Sequence, residues 1–193
     1  MQRTLSLEER TGLPDDLRFL VAQYPRETWQ NHANLGGMAQ FWLRRHGMFR
    51  DLGALLNRGI LRFREGELDR AEFTGWFVPR LNFFLGQLSG HHQIEDHHYF
   101  PVFRRAERRL ARGFDILDRD HHILHDALDS NASAMRELLR LLHDSPQSGQ
   151  SAADAYADNT YSLVAMMMRH LEDEEDLIVP VILDQGEREL GIG

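Results

Sequence analysis

Eleven histidines and 30 acidic residues in a chain of 193, with no cysteine, bound the chemistry available to it. Without thiolates there is no disulfide, no cysteine zinc site, no iron–sulfur cluster and no thiol nucleophile. Imidazole nitrogen and carboxylate oxygen remain as metal donors. Spacing makes this concrete. His91 and Glu95, His121 and His125, and His170 and Glu174 are each four residues apart. A four-residue step turns only about 40° around a helix, so both members of each pair point the same way. His46 lies between Trp42 and Phe49 on an apolar stripe. If these segments are packed helices, five imidazoles and two carboxylates converge. Burying them without partners would cost several kcal/mol each, on the order of 2–7. A metal ion is the partner that satisfies them.

The arrangement is duplicated. His91 to Pro101 and His170 to Pro180 both read His-x-x-x-Glu-acid-x-x-apolar-apolar-Pro. His46 and His121 are 75 residues apart, His91 and His170 79 residues apart, as two copies of a helical hairpin require. Two facing hairpins build a pseudo-twofold site, which suits two metal ions. The copies differ where His125 stands at the position of Arg50, so one metal is expected to have three histidines and the other two.

Helical periodicity dominates the elements that must position these residues, and no segment alternates with period two. Residues 1–34 read as a short helical extension: Ser6 and Glu9 have capping-box spacing, Gly12-Leu13-Pro14 interrupts, and an amphipathic piece from Asp15 to Gln23 stops at Tyr24-Pro25. Four longer patterns follow over residues 35–185. The first, about Leu35 to Phe63, carries Trp42, Phe49, Gly53, Leu56, Ile60 and Phe63, and turns at Arg64-Glu65-Gly66-Glu67. The second, about Asp69 to Leu110, aligns Phe73, Phe77, Leu81, Phe84 and Leu88, with Pro79 inside it. The third, about Phe114 to His143, carries Leu117, Leu124, Leu128, Met135, Leu139 and Leu142. A loop over Asp144–Gln150 precedes the fourth, about Ala152 to Leu183. Short connections imply an all-α, up-down-up-down four-helix bundle. Residues 186–193 read as a frayed tail.

Several residues have bland readings. His32, His92, His97, His98, His122 and His143 read as ordinary histidines, and Met166-Met167-Met168 as core filler. The run Glu172–Asp176 reads as partly a solvated face, with one member turned inward. Trp42, Phe49, Leu88 and Met167 would wall the site. The net charge of −8 argues against nucleic acid. No apolar run approaches the roughly 18 residues needed to span a bilayer, and the N-terminus lacks a secretory pattern. A soluble, cytoplasmic protein is expected; its oligomeric state is not legible.

The ordered set His46, His91-x-x-x-Glu95, His121-x-x-x-His125 and His170 with Glu174 resembles the hemerythrin-like, or HHE cation-binding, family over about residues 40–185. The resemblance implies a four-helix bundle around two non-haem irons, carboxylate-bridged and joined by an oxo or hydroxo group. His121, His125 and His170 would hold one iron, His46 and His91 the other, with Glu95 and Glu174 bridging. In the oxygen carriers the second bridge lies five residues after its histidine, which makes Glu175 the alternative to Glu174. The iron with two histidines would be one ligand short, where dioxygen or another small diatomic or anionic ligand binds. The expected function is dioxygen storage, delivery or sensing rather than catalysis. The alternatives are a redox enzyme acting on nitric oxide or peroxide and an iron sensor or store. Members that repair iron–sulfur centres carry an N-terminal cysteine, which this chain lacks.

Overall fold

A computed structural model describes residues 6–144 and 149–193. Its elements are a 3-10 turn at Asp15–Leu17, α1 (Phe19–Gln23), a 3-10 turn at Arg26–Asn31, α2 (Gly37–Arg64) and α3 (Arg70–Ile94). After a π-helical turn at Glu95–Tyr99 come α4 (Phe100–Ala106), a 3-10 turn at Arg108–Leu110, α5 (Ala111–Asp144), α6 (Gly149–Gln185) and α7 (Glu187–Leu190). No strand occurs among the described residues, and no helix among them is long and apolar enough to cross a membrane. Of the loop expected over Asp144–Gln150, residues 145–148 lie outside the described residues.

The chain forms two compact units. One comprises Met1–Met48, His91–His122 and Met168–Gly193. Its core gathers Leu13, Leu17, Leu20 and Trp29 from the N-terminal segment with Trp42, Phe100, Phe103, Phe114, Leu177 and Ile182. Ser6–Glu9 forms a turn rather than a helix, with the Ser6 hydroxyl donating to Glu8. The C-terminal residues, expected to fray, are docked instead. Glu187 of α7 accepts the Ala39 backbone N–H at 2.7 Å, placing a carboxylate at the start of α2. Gly36 leaves the space for it, since a Cβ there would meet the Glu187 carboxylate. Leu190 is buried and Asn34 Nδ2 donates to the Leu183 carbonyl at the end of α6.

The other unit comprises Phe49–Gly90 and Ile123–Met167. The turn at Gly66 closes α2 as the sequence predicts. Gly66 takes φ +75°, and the Gly66 and Glu67 N–H groups return to Phe63 and Arg62. Asp69 and Glu72 then cap α3 reciprocally: Glu72 N–H donates to Asp69 Oδ1 at 2.8 Å and Asp69 N–H to Glu72 Oε2 at 3.0 Å. The expected stripe Phe73, Phe77, Leu81, Phe84 and Leu88 is buried. On α5 the step after Met135 goes to Leu138 rather than Leu139. The Tyr156 hydroxyl donates to Asn131 Oδ1 at 3.0 Å, and Asn131 in turn donates to Thr160 and Asn159, so one polar cluster is satisfied inside an apolar unit.

α2 and α3 approach each other closely at Gly59, where a Cβ would stand 2.4 Å from the Trp76 ring. Gly59→Ala is therefore expected to destabilise. Overpacking costs about 1–3 kcal/mol, against up to about 1 kcal/mol gained in helix propensity. Gly86, which has open space around it on the same α3, is the counterpart. Gly86→Ala should raise stability by about 0.5–1 kcal/mol. Urea unfolding of both variants checks the contrast.

Candidate metal centre

The second helical pattern, expected to run to Leu110, is interrupted where the chemistry begins. α3 ends at Ile94, and Phe100 N–H returns to the Glu95 carbonyl, five residues back. Pro101, at the start of α4, has no N–H to continue the ladder. Such π turns recur at functional sites. The duplicated segment His170–Pro180 stays α-helical within α6.

Two imidazole pairs meet nitrogen to nitrogen. His46 Nε2 lies 3.1 Å from His91 Nε2, and His121 Nε2 lies 3.1 Å from His170 Nε2. Three of these rings have the other nitrogen on a carboxylate. His46 Nδ1 is 3.0 Å from Glu175, His121 Nδ1 2.7 Å from Asp96, and His170 Nδ1 3.4 Å from Asp120. A ring that donates Nδ1–H to a carboxylate offers a lone pair at Nε2, and this is how metal-ligating histidines are set. The two carboxylates lie between the pairs. Glu95 is 2.8 Å from His91 and 3.6 Å from His121; Glu174 is 3.7 Å from His46 and 3.4 Å from His170. Trp42 Nε1–H donates to Glu174 Oε1 at 2.9 Å. Among the described residues, neither Glu95 oxygen nor Glu174 Oε2 has a hydrogen-bond partner, although all three are buried. Facing imidazole nitrogens and unsatisfied buried carboxylates fit divalent cations.

Electrostatics sets the donors apart. Burial and the facing charge of Glu174 push Glu95 well above the usual carboxylate range. Glu174, although burial opposes it, is held far below that range by His46 and His170. Burial drives His91 down to about 3 and also lowers His121. Neutral imidazoles are the form that binds a metal.

His46, His91, Glu95 and Glu174 thus form one group of converging donors, and His121 and His170 a second with His92. Glu174 faces the imidazoles, whereas Glu175 holds His46 from behind. His125 is half-buried, belongs to the other compact unit and is in neither group. His92, read from sequence as a bystander, is fully buried and stacks on His121 with centroids 4.0 Å apart. The signal was available: Leu88 to His92 is a four-residue step along the buried stripe of α3. His97, His98, His122 and His143 are exposed.

The acidic run is not the solvated face expected of it. Asp173, Glu174, Glu175 and Asp176 are all buried, and only Glu172 is exposed. Arginines make this tolerable. Arg169 donates to Asp173 at 2.7 Å, and Arg10 and Arg26 reach in from the N-terminal segment. A cavity of about 290 Å³, lined by Met38, Phe41, Trp42, Ile94, Tyr99 and Arg45, reaches His91 and Glu95.

A family model described as the hemerythrin HHE cation-binding domain matches residues 37–182. Neither a curated protein nor a solved structure matches the chain.

His170 generates a pH prediction. Burial alone would lower its imidazolium, but hydrogen bonding to Asp120 and the charges of Asp120 and Glu174 reverse this and push it up to about 9. A value raised above the unfolded 6.5 stabilises fully below pH 6.5, and that contribution is lost as pH rises through about 9. Metal-stripped protein should therefore lose stability between pH 7 and 9.5 in urea unfolding. His170→Gln should flatten that slope, and metal-loaded protein should not show it, because a ligand histidine carries no such proton.

Proposed function

The chain belongs to the hemerythrin HHE cation-binding domain family, and from that premise we propose that it is a non-haem di-iron protein that binds dioxygen for storage, delivery or sensing. The donor set supports iron: imidazole nitrogens with two carboxylates exceed what one tetrahedral zinc uses. His46 and His91 would hold one iron, and His121 and His170 the other. Glu95 and Glu174, each near an imidazole of both pairs, would join them. For the third imidazole of the second iron, spacing favours His125 and donor geometry favours His92; we assign it to His92. The order of α2, α3, α5 and α6 supports an up-down-up-down four-helix bundle as the scaffold.

The observation that carries the functional reading is the cavity that reaches His91 and Glu95. Its walls combine Met38, Phe41, Trp42, Ile94 and Tyr99 with Arg45, a mostly apolar lining that suits a small neutral molecule. A bound iron pair would supply the electrons for reversible dioxygen binding. The protein's own part is to hold donors still and dry. Trp42 does so through its hydrogen bond to Glu174 and its edge contact with Tyr99 at 4.8 Å. Burial and the nearby Glu95 raise the Tyr99 phenol above its ordinary value, so it stays protonated at neutral pH.

Protein purified with iron should hold about two irons per chain by metal analysis, the stoichiometry of a carboxylate-bridged pair. His92→Ala should lose about one of them, and His125→Ala neither; the reverse result would return the third imidazole to His125. Stopped-flow mixing of reduced protein with dioxygen should give a coloured adduct that bleaches under vacuum. Rapid multi-turnover consumption in the presence of a reductant, or of nitric oxide or peroxide, would assign the redox enzyme instead. Uptake of iron without any oxygen adduct would assign an iron store or sensor.

A further inference from the structure

Two of the arginines that neutralise the acidic run come from outside the matched family region, which begins at residue 37. We propose that the N-terminal segment is a retaining strap on the metal centre, with Arg10 and Arg26 as positioning residues that lock the carboxylates orienting His170 and His46. This inference rests on the metal reading above and adds to it a residue-level control of metal retention.

Each arginine heads a relay that ends on a different imidazole pair. Arg10 is buried and grips Asp120 with both terminal nitrogens, Nη1 to Oδ1 at 2.7 Å and Nη2 to Oδ2, while its Nε donates to Asp173 at 2.7 Å. Asp120 in turn faces His170 Nδ1. Arg26 donates from Nη1 to Glu175 Oε2 at 2.7 Å, from Nε to Asp176 at 2.8 Å and from Nη2 to the Glu172 carbonyl at 2.8 Å. The other oxygen of Glu175 faces His46 Nδ1 at 3.0 Å. Forked, charge-assisted contacts of this kind fix a carboxylate in angle as well as position. A carboxylate so fixed fixes the ring, and the ring aims Nε2. Without the arginine, a buried carboxylate beside other carboxylates is left uncompensated, and it turns or takes up a proton.

The strap is seated independently of these contacts. Leu13, Leu17, Leu20 and Trp29 share an apolar core with Ile178 and Ile182, and Arg169 Nη1 donates to the Thr11 carbonyl at 3.0 Å. Changing a positioning arginine therefore need not undock the segment. A control lies on the same strap: Asp16 pairs with Arg112 at 2.7 Å on the surface and touches no imidazole.

The test loads full-length protein with cobalt(II), whose absorption bands report ligand geometry, and times its loss to excess chelator. Arg26→Ala and Arg10→Lys should release cobalt about 10–100-fold faster, the usual effect of removing an outer partner of a ligand histidine, with shifted absorption bands. Arg26→Lys should recover part of both changes, and Arg112→Ala should stay within about twofold of the parent protein on the same scale. Parent-like rates and bands in Arg26→Ala, or equal acceleration in Arg112→Ala, would overturn the strap while leaving the metal centre standing. A parent protein that takes up no cobalt would overturn both.

Discussion

The constraint on which this site depends is the burial of imidazole nitrogens that face one another. His46 and His91, and His121 and His170, approach nitrogen to nitrogen at 3.1 Å, and two carboxylates lie among them with oxygens unsatisfied. Water-free surroundings make each such group expensive, because low dielectric amplifies an unmet charge as much as a met one. Protons alone resolve it unevenly: Glu95 is driven toward the neutral acid, His91 toward the neutral ring, and His170 toward the cation. Metal ions would resolve it evenly. The arrangement gains meaning as a site rather than as a core.

The surrounding polar layer follows from that constraint. Imidazoles that must present Nε2 need Nδ1 held from behind, and Asp96, Asp120 and Glu175 hold it. Asp120 and Glu175 are themselves buried, so they need cations, which Arg10 and Arg26 supply from a segment far away in sequence. The apolar residues of that segment seat it in the core. Ligand, carboxylate, arginine and strap form a chain of requirements, each generated by the desolvation of the one before.

Much of this was legible in the sequence because helical periodicity is a local signal. His46, His91, Glu95, His121, His170 and Glu174 lie on the stripes that spacing assigned, and the turn at Gly66 and the stripe from Phe73 to Leu88 follow the local pattern. What was not legible is long-range or irregular. The burial of Asp173–Asp176 depends on arginines about 150 residues away in sequence, so composition alone read it as solvated. The π turn at Glu95–Tyr99 depends on backbone bonding that a uniform 100° step cannot anticipate. The burial of His92 follows from its four-residue step after Leu88, a local signal, whereas its neighbour His91 shares that step with Glu95 instead. The docked C-terminus rests on Glu187 meeting α2, a contact with no local trace.

The internal duplication explains both the symmetry of the site and the place where it fails. In each copy the acid following the central glutamate orients a histidine of the opposite copy: Asp96 serves His121, and Glu175 serves His46. The two halves thus hold each other's rings. The residue just before His121 is Asp120, whereas the residue just before His46 is Arg45. Asp120 faces His170 and helps hold its proton, while Arg45 adds to the burial that strips the proton from His91. One substitution of sign within a repeated frame makes the two imidazole pairs electrically unlike. The same Arg45 lines the cavity that reaches His91 and Glu95. The cavity therefore reaches the pair in which burial and Arg45 lower His91, whereas Asp120 and Glu174 raise His170 of the other pair. A repeated frame thus carries two imidazole pairs that differ in access and in electrostatics.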